Sequence, residues 1–208
     1  MASVLADSGS TPSAGGAEDQ RAAPRTTLLI RPAKLIAGDG EFLCVIRDVS
    51  ATGVSVRLFH APPEAAEAVL ETEAGQQVPM TQVWSRNREA GFRFDAPIDL
   101  AAFINESGRY RKRRLRLAIE LPVMLESQGQ RHAATIRNLS QQGARVETDA
   151  RLATAQMVRL RSEYLPEIRA QVRWRRDSSH GLVFEDTFTL ADFATTAALL
   201  QSPALLAR

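Results

Sequence analysis

At a shift of 90 residues the chain matches itself. Ser50 falls on Ser140, Gly53 on Gly143, Val56 on Val146, Trp84 on Trp174, Gly91 on Gly181, Phe94 on Phe184, Leu100 on Leu190 and Phe103 on Phe193. Upstream, Pro32 falls on Pro122, Ile46 on Ile136 and Arg47 on Arg137. A register held over so many positions means two copies of one fold in series. The 208 residues then divide into a tail at 1–20, a first unit at 21–108 and a second at 109–208. The second unit opens with the basic linker Arg109-Tyr110-Arg111-Lys112-Arg113-Arg114. The tail is rich in Ser, Gly, Ala, Thr and Pro, cannot bury enough apolar surface to offset the entropy of ordering, and is expected to be disordered.

Within each copy the local signals are those of strands. Phe42, Cys44 and Ile46 alternate with Leu43, Val45 and Arg47 behind the hairpin signal Gly38-Asp39-Gly40, and Gln128-Gly129-Gln130 repeats that signal. Val54–Leu58 and Ala144–Glu147 alternate as half-buried strands do. Further strands are expected at Val78–Trp84, Gly91–Phe94, Val158–Arg161, Ile168–Trp174 and Gly181–Phe184, about six per copy. Each copy closes on a helix, Asp99–Ser107 and Thr189–Leu200, with Asp99 and Thr189 as caps. The expected fold is mainly β: two small six-stranded antiparallel barrels in tandem, each followed by a C-terminal α-helix.

Composition narrows the chemistry. A net charge of +2 spreads no large positive field over the molecule, and nearly all cations are Arg, with Lys34 and Lys112 the two lysines. The single cysteine, Cys44, excludes an intrachain disulfide and a thiolate metal cluster. His60, His132 and His180 lie far apart without metal-ligand spacing and read as surface or loop residues. Neither a signal peptide nor a bilayer-spanning run is expected, which places the chain in the cytoplasm without membrane insertion. No nucleophile and base pair up, and no phosphate loop occurs, so neither a catalytic nor a metal site is expected. An aromatic content of 6% argues against a stacking platform for RNA or single strands, and neither DNA nor RNA is an expected partner.

Two elements recur: an Arg-rich segment before the first strand, and Asp48-Val49-Ser50-Ala51-Thr52-Gly53, repeated as Asn138-Leu139-Ser140-Gln141-Gln142-Gly143. In these the chain resembles the PilZ family, which is marked by Arg-x-x-x-Arg followed by Asp/Asn-x-Ser-x-x-Gly at a barrel strand. The first copy matches in full, with Arg21 and Arg25 for the first element and Asp48, Ser50 and Gly53 for the second. In the second copy Arg116 takes the second Arg position with Lys112 four residues earlier, while Arg109 and Arg113 offer a shifted Arg-x-x-x-Arg; Asn138, Ser140 and Gly143 complete it. The resemblance implies a binding site for cyclic di-GMP at these residues, with the Arg pair on a mobile segment that folds over the ligand. The first copy is placed ahead as the binding domain.

The residue types suit that ligand. A guanidinium bonds a phosphate or the guanine O6 and N7 edge and also stacks on a base. A carboxylate such as that of Asp48 accepts from guanine N1 and N2, and Ser50 offers a small hydroxyl. Taken singly, Gly53 and Gly143 read as turn glycines needing positive φ, Ser50 and Ser140 as hydroxyls bonded to nearby backbone, and Trp84 and Trp174 as packing residues outside the site. The joint pattern reads as a receptor without cofactor, which converts ligand binding into a change of domain arrangement and engages a protein partner the sequence does not name. The alternative is a PilZ-fold interaction adaptor that no longer binds the dinucleotide, favoured for the second copy by Lys112 and Asn138.

Overall fold

The computed structural model describes residues 26–38, 40–105 and 114–207. Arg21, Arg25, Arg109, Lys112 and Arg113, and the expected disordered tail, lie outside the described residues. Two closed six-stranded antiparallel barrels follow one another. The first comprises β1 (Thr26–Ala37), β2 (Gly40–Ser50), β3 (Gly53–Leu58), β4 (Glu67–Thr72), β5 (Gln77–Arg86) and β6 (Glu89–Phe94), in the order β1-β2-β3-β6-β5-β4. The second repeats that order with β7 (Leu121–Ser127), β8 (Gln130–Ser140), β9 (Gly143–Glu147), β10 (Met157–Arg161), β11 (Ile168–Arg176) and β12 (Ser179–Phe184). Pairing of β1 with β4, and of β7 with β10, closes each barrel and leaves no sheet edge.

The turns obey their residues. Gln128 and Gly129 join β7 to β8 with φ of 51° and 78°, the doubly left-handed geometry that matches strand twist in a two-residue hairpin. Asn87 and Asp177 take positive φ at the tips of the β5–β6 and β11–β12 hairpins. The helices are α1 (Leu100–Asn105) and α2 (Leu190–Gln201), begun where expected: Asp99 Oδ1 accepts from Ala102 N at 3.0 Å and Thr189 Oγ1 from Asp192 N at 3.1 Å. Phe103 and Phe193 drop from them into the two cores. The sequence pattern assigns no range to β1, β4 or β7; at β4, Ala and Glu dominate Glu64–Glu71, and such residues favour helix over strand.

The barrels lean on each other through exchanged side chains. Leu43 of β2 is buried in the second barrel's core, and Leu205, on a 3-10 turn at Pro203–Leu206, is buried in the first. The Leu205 carbonyl also accepts from Ala61 N at 3.1 Å. A polar clasp joins the same surfaces. Lys34, only 6% exposed, pairs through Nζ with Glu41 at 3.2 Å and Glu71 at 3.3 Å and donates to the Arg116 carbonyl at 3.3 Å. Glu41 accepts from Ala118 N at 2.7 Å, and its own backbone N–H and carbonyl bond the Gln201 side chain at 2.9 and 2.7 Å.

The histidines correct the sequence reading. His60 and His180 are 2% and 1% exposed, each with Nδ1 beside a backbone carbonyl and Nε2 buried without a hydrogen-bond partner among the described residues. Burial above all pushes both imidazoles below their ordinary value; a backbone hydrogen bond opposes this, and Arg88 or Arg175 adds to it.

Two outcomes follow for stability. Truncating Leu205 to Ala removes a plug of the first barrel and is expected to cost about 2–5 kcal/mol in urea denaturation, although residue 205 follows the second barrel in sequence. Because the folded imidazoles bind protons less readily than the unfolded ones, stability is complete above about pH 6.5 and falls as pH drops below it. Melting temperature should decline between pH 7.5 and 5.5, and a His60→Asn, His180→Asn double variant should flatten that slope.

Candidate functional site

Each hexapeptide spans the end of one strand, a tight turn and the start of the next. Asp48 and Ser50 end β2 and Gly53 begins β3; Asn138 and Ser140 end β8 and Gly143 begins β9. The serines are buried, and their hydroxyls donate across the turn to the carbonyls of Gly53 at 3.4 Å and Gly143 at 3.0 Å. Neither glycine takes positive φ. They are required because the neighbouring strand passes too close: a Cβ at Gly53 would stand 2.6 Å from the Phe92 carbonyl oxygen, and one at Gly143 would collide with that of Leu182. Ser50, Ser140, Gly53 and Gly143 thus build the turn on which the first residue of each motif is presented.

That first residue faces outward. Asp48 accepts from the Ser55 hydroxyl at 2.9 Å, while Asn138 Oδ1 accepts from Arg116 Nη1 at 3.0 Å. Arg116 lies on a segment that alternates buried Leu115, Leu117 and Ile119 with exposed Arg114, Arg116 and Glu120. Reciprocal backbone bonds of 2.8 and 2.9 Å between Leu117 and Leu139 fix this segment along β8. In the first barrel Thr26 pairs with Val49 as Leu117 does with Leu139, so Arg116, directly before Leu117, takes the place of Arg25, directly before Thr26. Lys112 then corresponds to Arg21.

Strand register extends the site beyond the motifs. Asp48 stands opposite Ser55, Ser55 opposite Gly91, and Gly91 opposite Trp84. In the second barrel the row runs Asn138, Arg145, Gly181, Trp174. Opposed residues of antiparallel strands share a face, so each row lies on the outside of its barrel. Trp84 and Trp174 are 40% and 44% exposed. Each indole lies over its cross-strand glycine so closely that a Cβ there would strike the ring nitrogen Nε1. The signal was present in the sequence, in the joint repetition of Trp and Gly, but only register shows that the ring shares a row with Asp48 or Asn138.

Cys44 is fully buried, its Sγ donates to the Ala33 carbonyl at 3.5 Å, and burial pushes its thiol up to about 12. Among the described residues no cluster of His, Cys, Asp or Glu has the geometry to hold a metal ion, and no helix is long and apolar enough to cross a membrane.

Comparison with solved structures finds similar chains at low identity. The PlzA protein of Borreliella burgdorferi in complex with c-di-GMP is 14% identical, with 81% of this chain and 86% of that one covered and a TM-score of 0.33. The Bacillus subtilis inhibitor of motility MotI/DgrA is 15% identical, covering 84% and 95% at 0.34. Escherichia coli YcgR in complex with c-di-GMP is 13% identical, covering 77% and 76% at 0.27. No curated protein sequence matches. The PilZ domain family model matches residues 19–110 and again 108–201, one segment over each barrel, and the chain belongs to the PilZ family.

Proposed function

We propose that the chain is a receptor for cyclic di-GMP with a site on each barrel, and that occupancy alters how the barrels grip each other and so which protein partner they engage. The observation that carries this reading is the bond from Arg116 to Asn138, which unites the cationic segment with the hexapeptide on the row that ends in an exposed indole. A cyclic dinucleotide brings two phosphates and two guanines. The guanidinium groups of Arg21 and Arg25, or of Arg109, Arg113 and Arg116 with Lys112, meet the phosphates and stack on bases. Asp48 accepts from guanine N1 and N2, Asn138 offers an amide in its place, and Trp84 or Trp174 supplies a flat apolar face worth roughly 1–3 kcal/mol per stacked base. The reading assigns no catalytic role to any residue.

The link to domain arrangement lies in the backbone of Arg116. Lys34 of the first barrel holds its carbonyl, and Glu41 holds the amide of Ala118 two residues on. A ligand that draws the Arg116 side chain onto a phosphate pulls on the stretch of chain the first barrel grips. Differential contact of that kind is what a ligand needs to shift an equilibrium between arrangements.

Calorimetric titration of cyclic di-GMP into the chain, Arg25→Ala and Arg116→Ala at one salt concentration tests the sites. Micromolar or tighter binding is expected, with each variant losing the contribution of one barrel; no detectable binding to the parent chain sinks the receptor reading. Small-angle scattering tests the coupling: ligand should change the radius of gyration of the parent chain, and less so in Glu41→Ala, whose clasp is already open.

A further inference from the structure

Arg145 stands where the first barrel has Ser55, between Asn138 on one side and Gly181 on the other. It is exposed, and its guanidinium makes no hydrogen bond or ion pair among the described residues. Some guanidinium groups of this barrel are engaged, while those of Arg131, Arg151, Arg173 and Arg176, like that of Arg145, make no bond among the described residues. Arg137 bonds Glu120 at 2.8 Å and Glu147 at 2.7 Å, and Arg161 bonds Glu167 at 2.9 Å.

The charge at the head of the row is reversed between the copies. Asp48 and Ser55 together carry one negative charge, and the Ser55 hydroxyl is committed to the Asp48 carboxylate. Asn138 and Arg145 together carry one positive charge, and Arg116 brings a second guanidinium to the same amide. Arg116 bonds the Asn138 amide and Arg145 stands opposite Asn138 on the next strand, so this end of the row carries two guanidinium groups with no carboxylate bonded to either among the described residues, an arrangement that favours an anion. Beyond Arg145 the outward row holds only Gly181 before the Trp174 indole, two strands and about 10 Å away. A nucleotide seated there sets its base against the ring and its phosphate toward Arg145.

We propose that Arg145 is a phosphate-binding residue of the second site, one that the first site lacks, and that with Arg116 it makes the second site read the ligand chiefly through its negative charge. The assignment rests on the receptor reading above and goes beyond the family motif, which does not include this position. Its consequence is that the second site binds more tightly at low salt and weakens faster as salt is added than the first.

The test uses the full chain carrying Trp84→Phe, so that Trp174 is the only tryptophan and its fluorescence reports the second site during titration with cyclic di-GMP. Arg145→Ser installs the residue the first barrel bears at the same exposed strand position, with circular dichroism confirming the fold. It should raise the midpoint by about tenfold, the cost of one charge-assisted bond, and make the midpoint less sensitive to salt. Arg145→Lys should keep the salt sensitivity while losing part of the affinity, because it keeps the charge without the planar fork. An unchanged midpoint and salt slope in Arg145→Ser, with Trp174 still responding, overturns the assignment of Arg145 alone. Absence of both fluorescence change and calorimetric heat in the parent chain overturns the receptor reading and this assignment with it.

Discussion

The Lys34 ammonium is the point on which the two-barrel architecture turns. It is buried between the carboxylates of Glu41 and Glu71, with the Arg116 carbonyl as a third partner. A charge withdrawn from water is tolerable only when its bonds are satisfied, and removing one partner from such a group costs about 3–5 kcal/mol. The ammonium therefore needs both carboxylates of its own barrel and a backbone oxygen that only the following unit supplies. The equivalent row of the second barrel replaces Leu43, Lys34 and Glu71 with Ala133, Met124 and Arg161, and Met124 is 42% exposed. The same face is thus a docking face in the first copy and an open one in the second. The copies share a fold and have diverged into different neighbours.

Docking is made reciprocal by apolar side chains. Leu43 completes the core of the second barrel and Leu205 that of the first, while α2 serves its own barrel through Phe193 and reaches the other through Gln201. Each barrel borrows part of its interior from the other, so the interface is not a loose contact between independent beads. The segment from Arg114 to Glu120 runs through this joint and also carries the guanidinium that meets Asn138. The guanidinium that bonds Asn138 and the contacts that dock the barrels share one stretch of backbone, so a pull on the Arg116 side chain has a short path to the joint.

What the sequence disclosed was what is local or repeated. The tandem barrels, the Gln128-Gly129 hairpin and the caps at Asp99 and Thr189 depend on near neighbours in the chain and on a register kept in both copies. Strand β4 escaped because closure of the barrel overrides the helical preference of its Ala and Glu residues. His60 and His180 escaped because burial is set by what packs over them, including Phe42 at 5.2 Å from His60. The Lys34 clasp escaped for the opposite reason to the repeat: it joins residues 34, 41, 71 and 116, which obey no common spacing. Arg145 was invisible because the first copy holds Ser there, and a search for matches passes over the positions that differ.

The two halves of the hexapeptide carry different information. Its Ser and Gly are demanded by the barrel itself, the hydroxyl to bond across the turn and the missing Cβ to admit the next strand, and a copy that binds nothing would still need both. The same holds for Gly91 and Gly181, over which an indole must lie. Their repetition therefore testifies to fold. Variation sits where the fold is indifferent, on outward-facing row positions whose exchange leaves the strands undisturbed: Asp48 against Asn138 and Ser55 against Arg145. At these two positions the copies part together, losing a carboxylate and gaining a guanidinium on adjacent strands. Loss of the carboxylate alone would not place a cation opposite it; the paired change reverses the charge at the head of the row while the strands keep their register.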